Sequence, residues 1–278
     1  MQLPGPLVSV TWLAENQFDP NLIVLDASIK PVGNNSSNKS KVKIPRARTF
    51  DFDKKICDQK SILPHMMPPA DLFEREVCEL GINSDSCIVV YDSVGVFSSP
   101  RARWMFKAMG HDNVAVLDGG LPAWISEGHP TEECVSQEIN LGNFITKPRE
   151  HLFCDMDFVA LALNNSSQVV LDARSAGRFS GNEPEPRPGL RSGHMPNALN
   201  IPFNDVLVDG KLRSVDELSK IFSSRIKFDQ ELIATCGSGV TACVIAFAAE
   251  LIGYKDITIY DGSWSEWGLP SSRPVVTK

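Results

Sequence analysis

The stretch Val116-Leu-Asp118-Gly119-Gly-Leu-Pro-Ala-Trp124 is the most informative part of this chain, because the chain contains it twice. It returns as Ile259-Tyr-Asp261-Gly262-Ser-Trp-Ser-Glu-Trp267, with the aspartate, the first glycine and the final tryptophan in the same places. Two other segments return in the same order: Leu22–Ala27 as Val169–Ala173, and Ile44–Ala47 as Met195–Ala198. Repetition over so long a period predicts two tandem copies of one domain.

The predicted domains are residues 1–134 and 152–278, joined by a linker over residues 135–151. The linker stretch is polar, contains Gly142 and Pro148, and has no counterpart in either copy. Such composition is typical of the connection between two domains.

Each copy alternates short apolar runs with helical patterns. The runs suit strands that are buried on both faces of a parallel sheet: Leu22–Leu25, Ile88–Tyr91, Val114–Leu117, Val169–Leu171, Leu232–Ala234 and Ile257–Tyr260. Helices are predicted over Arg101–Met109 and Val240–Leu251, the latter ending before Gly253. The alternation predicts an α/β fold in each copy, with a mainly parallel sheet flanked by helices.

Composition excludes several classes of function. The net charge of −7 and the lack of a basic run disfavour a nucleic-acid partner, since phosphate binding needs a concentrated positive face. No apolar run is long enough to span a membrane, and Met1–Val10 does not look like a secretory leader. Seven scattered cysteines, an odd number, predict a reduced cytoplasmic chain without a disulfide framework. No Cys/His cluster has metal-ligand spacing, so no metal is expected.

Cys236 lies where the second copy's strand Leu232–Thr235 runs into Gly237-Ser238-Gly239-Val240-Thr241 and a helical pattern begins. A glycine-bearing turn that opens a helix directs several backbone N–H groups at one atom, and the helix dipole adds partial positive charge there. Both effects favour a nucleophilic thiolate. The other interpretation, an inert cysteine at a strand end, does not account for this loop composition.

The first copy differs at the same place. It has Tyr91-Asp92-Ser93-Val94-Gly95 and no thiol. One half is therefore predicted to carry the chemistry. Cys243 lies within the helical pattern and is predicted to be a core residue.

The chain resembles the tandem-domain rhodaneses, and within them the branch that uses 3-mercaptopyruvate. The resemblance covers nearly the whole chain and rests on these segments: Leu63–Met66, Ser99–Arg101, Gly177–Phe179, Glu183–Arg187, Gly193–Ala198, Cys236–Thr241 and Tyr260–Trp267. It implies a sulfurtransferase that carries sulfur as a persulfide on Cys236, with no cofactor. It also implies a thiol acceptor, for which thioredoxin or a small dithiol would serve.

The resemblance also implies roles for individual residues. Thiosulfate-using members typically carry basic residues at the two positions after the cysteine, where this chain has Gly237 and Ser238. Arg178 and Arg187 match the arginines that bind the donor carboxylate, for which the guanidinium fork is well shaped. Each could instead be a solvated surface arginine or a structural partner of Glu183 or Glu185. The loop after Cys236 is expected to contact the substrate through the N–H groups of Gly237, Gly239, Val240 and Thr241.

A proton relay of Ser238, His65 and Asp53 is the last implication. His65 could instead cap a loop turn, and the spacing around Asp53 leaves Asp51 and Asp58 as alternatives. The first copy also departs from the family pattern, because it has Val42-Lys43 before Ile44-Pro45, where the second copy has Gly193-His194. The polar stretch 34–41 that precedes Val42 is predicted to be a mobile loop. Arg101 matches a family position near the domain interface, and no role is assigned to it.

Three alternatives stand beside a mercaptopyruvate sulfurtransferase. The first is a thiosulfate sulfurtransferase that uses the same cysteine. The second is a cysteine phosphatase, which needs an arginine six residues after the cysteine, where this chain has Ala242. The third is a non-enzymatic sulfur carrier, which a degenerate loop would favour, and only the first copy has such a loop.

Overall fold

The computed structural model describes residues 1–30, 42–134 and 139–278. By its internal contacts the chain divides into two units. The first comprises Met1–Lys60, Met67–Arg149 and Asp209–Lys211, and the second comprises Ser61–Met66, Glu150–Val208 and Leu212–Lys278. Two short segments, Ser61–Met66 and Asp209–Lys211, thus group with the unit formed mainly by the other half of the chain.

The first unit is built around a five-stranded sheet in which every pairing is parallel. The strands of the unit, in chain order, are β1 (Leu7–Val8), β2 (Leu22–Asp26), β3 (Val42–Lys43), β4 (Arg48–Thr49), β5 (Cys87–Tyr91), β6 (Val114–Leu117) and β7 (Glu132–Glu133). The helices of the unit are α1 (Val10–Asn16), α2 (Ala70–Glu79), α3 (Ser99–Ala108) and α4 (Gly120–Ser126). The strand order in the sheet is β1-β6-β5-β2-β4, and β3 pairs with β7 in a separate antiparallel ribbon.

The second unit repeats this plan. The second half of the chain contributes strands β8 (Phe153–Cys154), β9 (Gln168–Asp172), β10 (Leu199–Asn200), β11 (Leu207–Val208), β12 (Lys211–Leu212), β13 (Glu231–Thr235) and β14 (Ile257–Tyr260), with helices α5 (Met156–Ala162), α6 (Ala176–Ser180), α7 (Val215–Ser223), α8 (Ala242–Leu251) and α9 (Ser263–Trp267). The sheet order is β8-β14-β13-β9-β10, again entirely parallel. The repeat seen in the sequence therefore corresponds to two sheets of the same topology.

The predicted α/β fold with two parallel sheets is confirmed. All six predicted strands are present, and each sheet has a buried central strand, β5 or β13. Both predicted helices are present with ends that differ by one or two residues, since α3 begins at Ser99 and α8 begins at Ala242.

Helix α8 is enclosed by the core of the second unit. Eight of its residues, Ala242–Ala249, are buried, so the helix is apolar on nearly every side. A helix of that kind is stable only inside a core. Its first turn, which follows the Cys236 loop, is fixed by this packing.

The linker prediction falls only partly on the described residues. Positions 135–138 of the predicted linker, and the whole of the predicted mobile loop 34–41, lie outside them. Residues 139–149 group with the first unit, where Phe144 is buried and Gly142 N–H donates to the Cys78 carbonyl. The division of the chain at residues 134 and 152 stays a prediction. No helix in the described part of the chain is long and apolar enough to cross a membrane.

Candidate active site

Cys236 directly follows the central strand β13, and its side chain is buried. The loop after it is held by α9: Trp264 N–H donates to the Cys236 carbonyl at 2.9 Å, and Ser265 N–H donates to the Gly237 carbonyl at 2.8 Å. These bonds fix the two carbonyl oxygens on the α9 side of the loop. Cys243, predicted to be a core residue, is fully buried in α8.

Ser263 is a loop-supporting residue that the sequence analysis did not single out. Its hydroxyl accepts hydrogen bonds from Cys236 N–H at 3.2 Å and Gly239 N–H at 3.0 Å, and donates to the Tyr260 carbonyl at 2.8 Å. Its backbone is left-handed, with φ 51°, a conformation that is costly for a residue other than glycine. The repeat offered a signal, because the first copy has Gly120 at this place, also with positive φ.

Ser238 and His65 are brought together as the resemblance implied. The His65 Nδ1 and Ser238 Oγ atoms lie 3.0 Å apart, although 173 residues separate them in the chain. His65 belongs to the segment Ser61–Met66, which groups with the second unit, and it is buried with a left-handed φ of 62°. Arg187 Nη2 donates to the same hydroxyl at 3.4 Å. Ser238 can therefore exchange a proton with His65 beside a guanidinium cation.

Asp53, which is predicted to be the third residue of the relay, belongs to the first unit. The Asp53 backbone carbonyl lies 3.6 Å from the Cys57 thiol. The two alternative aspartates, Asp51 and Asp58, each accept a hydrogen bond within a local turn. The Asp51 carboxylate accepts from Lys54 N–H at 3.0 Å, and the Asp58 carboxylate accepts from Lys60 N–H at 3.0 Å. The pairing of an aspartate with His65 stays a prediction. Arg101 is a buried residue of α3, and its role is likewise open.

Arg178 is held by a carboxylate. Its Nε and Nη2 donate to the two oxygens of Glu185 at 3.2 and 2.5 Å, which is a bidentate pair. Glu185 also accepts from Arg174 Nη1 at 2.7 Å, and Arg174 donates through Nε and Nη2 to Asp172 and stacks on the Trp264 ring at 4.0 Å. Arg174 is completely buried, so the chain of ion pairs is anchored in the core of the second unit.

The two predicted carboxylate-binding arginines meet at Gly237. A β-carbon added to Gly237 would lie 3.2 Å from Arg178 Nη2 and 3.7 Å from Arg187 Nη1. Both guanidinium groups therefore lie beside the residue that follows Cys236. The structure thus brings together Cys236, Ser238, His65, Arg178 and Arg187, with Gly237, Gly239, Val240 and Thr241 forming the loop between them.

Asp92 occupies the place of Cys236 in the first unit. Tyr91 pairs in register with Asp26, and Thr235 pairs in register with Asp172, so Asp92 and Cys236 each follow the central strand by one residue. The Asp92 carboxylate is buried and accepts hydrogen bonds from five backbone N–H groups at 2.9–3.0 Å and from the Ser99 hydroxyl at 2.7 Å. The donors are Val94, Gly95, Phe97, Ser98 and Ser99. The loop geometry of this fold therefore receives an anion at this place.

A cavity of about 840 Å³ lies elsewhere on the second unit, lined in part by Phe153, Cys154, Phe158 and Ile257. Burial, followed by the charges of Asp155 and Asp261, raises the pKa of the Cys154 thiol to about 12. This cavity therefore offers no reactive thiolate. Among the described residues, no three His, Cys, Asp or Glu side chains are grouped to hold a metal ion.

A model of the rhodanese-like domain matches residues 9–127 and again residues 156–269. The chain belongs to the rhodanese family. The Escherichia coli K12 protein named 3-mercaptopyruvate sulfurtransferase is 38% identical over 273 residues, covering 96% of each chain. The Arabidopsis thaliana protein named thiosulfate/3-mercaptopyruvate sulfurtransferase 1, mitochondrial, is 39% identical over 295 residues, covering 97% of this chain and 78% of its own length.

A solved rhodanese agrees with these sequence matches. The crystal structure of SseA from Escherichia coli, described for the rhodanese fold and mechanism of 3-mercaptopyruvate sulfotransferases, superposes with a TM-score of 0.85 at 36% identity. The match covers 94% of this chain and 99% of that one. The present chain thus shares the fold of the SseA structure over nearly its full length.

Proposed function

We propose that this rhodanese is a 3-mercaptopyruvate sulfurtransferase that carries sulfur on Cys236 and passes it to a thiol, releasing pyruvate. The observation that supports this most directly is the equivalence of Cys236 and Asp92. In the first unit, five N–H groups converge on a carboxylate at this place. The same loop position in the second unit holds a thiol, whose thiolate and persulfide are also anions.

The first half-reaction forms a persulfide. The Cys236 thiolate attacks the sulfur of 3-mercaptopyruvate, an S–S bond forms, and the C–S bond breaks with its electron pair left on carbon as the enolate of pyruvate. Arg178 and Arg187, beside Gly237, bind the donor carboxylate. Ser238, with His65 at 3.0 Å, supplies the proton that converts the enolate to pyruvate.

The second half-reaction returns the enzyme to its starting form. An acceptor thiolate attacks the outer sulfur of the persulfide, the S–S bond breaks, and Cys236 leaves as a thiolate that is stabilised by loop N–H groups other than that of Gly239, which donates to Ser263. A covalent intermediate shared by two half-reactions implies ping-pong kinetics. Cysteine both accepts and releases the sulfur, so the proposed chemistry needs no metal or organic cofactor.

Donor choice is supported by the loop composition. Thiosulfate is a dianion, and basic side chains in the loop would suit its sulfonate, but the two residues after Cys236 are Gly237 and Ser238. The name of the Arabidopsis relative includes both donors. Thiosulfate sulfurtransferase activity through the same cysteine is therefore the second candidate, and a comparison of kcat/KM for the two donors separates them.

The acceptor and the location are the finer parts of the proposal. We expect a dithiol acceptor such as thioredoxin, because a second thiol can release the transferred sulfur from the first. In the described part of the chain the cysteines form no disulfide, which suits a reducing compartment such as the cytoplasm. Kinetic assays with thioredoxin and cell fractionation test these two points.

The decisive experiment is to mix donor and enzyme without acceptor and to weigh the intact protein. We expect a gain of one sulfur atom, about 32 Da, together with one equivalent of pyruvate, as ping-pong transfer requires. Both should be absent in Cys236→Ser. Sulfur transfer by the serine variant, or a gained sulfur that maps to another cysteine, would show that Cys236 is not the carrier.

A further inference from the structure

Glu185 is the acidic residue that pairs with Arg178, and it belongs to an arginine network formed by Asp172, Arg174, Glu185 and Arg178. Its side chain is 2% exposed, whereas Arg178, to which it is paired, is 23% exposed. The bidentate contact uses the Nε–Nη2 edge of Arg178. Nη2 also lies 3.2 Å from the place of a Gly237 β-carbon, so this end of the guanidinium group is next to the residue that follows Cys236.

The position of Glu185 is imposed from inside the fold. Its Oε1 accepts from Arg174 at 2.7 Å, and Arg174 is fixed by Asp172 and by the Gly193 carbonyl at 2.9 Å. Glu185 cannot move away from Arg178 without breaking a buried ion pair, which is a costly change. Arg178 can therefore form hydrogen bonds with a sulfur donor, while the positive charge of Arg178 is offset by the fixed negative charge of Glu185.

We propose that Glu185 is a specificity-determining residue that favours monoanionic sulfur donors over dianionic ones. This inference rests on the proposed function and concerns the same site. The interaction of a ligand with a fixed charge scales with the ligand's own charge. Glu185 therefore opposes a dianion such as thiosulfate twice as strongly as it opposes the monoanion 3-mercaptopyruvate.

The test is Glu185→Gln, assayed with both donors. Glutamine keeps the size of the side chain and can accept one arginine hydrogen bond, and Arg174 keeps its contacts with Asp172 and Gly193. Removal of one negative charge this close to the donor should raise the ratio of kcat/KM for thiosulfate to that for mercaptopyruvate by about tenfold or more. Damage to the fold would lower both values together and leave the ratio unchanged.

Glu183→Gln is the matched control. Glu183 lies in the same loop, carries the same charge, and accepts from the Ser175 hydroxyl at 2.9 Å rather than from the arginine network. Its replacement should leave the donor ratio unchanged. An unchanged ratio in a Glu185→Gln protein that keeps its mercaptopyruvate activity, or an equal rise in both variants, overturns the inference. Absence of mercaptopyruvate activity in the unmodified protein would instead overturn the proposed function.

Glu185→Met covers the case in which Glu185→Gln does not fold. It removes the same charge with a side chain of similar length, so it should raise the same donor ratio by about tenfold or more. A folded Glu185→Met protein with the donor ratio of the unmodified protein contradicts the selectivity assigned to Glu185.

Discussion

Replacement of Arg187 by methionine isolates one arm of the proposed carboxylate clamp. Methionine keeps most of the apolar stem and removes the guanidinium, so packing along the stem is largely retained. The lost group is well placed, with Nη2 3.4 Å from Ser238 Oγ and Nη1 3.7 Å from the place of a Gly237 β-carbon. The variant therefore changes the donor site and leaves the Arg174–Glu185–Arg178 network untouched.

The expected loss follows from the kind of bond removed. A hydrogen bond to a charged group contributes about 1.5–3 kcal/mol. Such a loss lowers kcat/KM for 3-mercaptopyruvate by about tenfold to about 150-fold, since about 1.4 kcal/mol corresponds to one factor of ten. Arg178→Met should lie at the upper end of this range, because it also leaves the Glu185 carboxylate without its partner next to an incoming anion.

The assay is steady-state pyruvate release over a range of donor concentrations at saturating acceptor. Arg225→Met is the control, because Arg225 is exposed in the same unit and its side chain donates to the Asn200 carbonyl at 3.4 Å. It removes the same charge and should leave the donor kinetics unchanged. Unchanged kinetics in both Arg178→Met and Arg187→Met would refute the carboxylate assignment, and an equal loss in the control would show a general charge effect.

Ser238→Ala should slow pyruvate release by about 10²-fold, because it removes the group that passes a proton from His65, while Cys236 still gains sulfur in the mass measurement. Cys154 should resist iodoacetamide at pH 8 in the folded protein, since a pKa of about 12 leaves only about one thiol in 10⁴ ionised; peptide mapping that finds Cys154 labelled as fast as Cys236 would contradict this. Burial lowers the pKa of His111, so the unfolded chain binds a proton more readily than the folded one, and the free energy of unfolding should fall as pH decreases below about 6.5. Urea titrations at pH 7.5 and 5.5 should show this decline, and it should be smaller in His111→Phe, whose ring suits the neighbouring Phe106 and Phe144.

The strands and the reactive loop could be predicted because their signals are local. Buried parallel strands such as β5 and β13 are continuous apolar runs, and the turn after β13 has its glycines within four residues of Cys236. The repeat then predicted that the two halves share one α/β fold, since two segments with one pattern fold in one way. These conclusions needed only the local pattern and its repetition along the chain.

The partners within the site could not be obtained in the same way. The pairing of Arg178 with Glu185 rather than Glu183 depends on Arg174, whose buried position is a consequence of packing on Trp264. The contact between Ser238 and His65 joins residues far apart in the chain. The hydrogen bonds that Ser263 accepts from the Cys236 loop depend on a left-handed backbone at Ser263, which serine does not favour. Sequence motifs indicate which side chains belong to the site, whereas tertiary packing determines which of them are in contact.

The carboxylate of Asp92 limits which residues can stand at the unreactive position of the first unit. Five N–H groups already converge there in the folded loop. A small neutral residue would leave these donors buried without an acceptor, at about 1–3 kcal/mol for each group left unsatisfied. In the first unit, position 92 therefore requires a side chain that accepts several hydrogen bonds, although that unit has no thiol at this place. Position 92 should tolerate far fewer substitutions than its lack of a reaction would suggest.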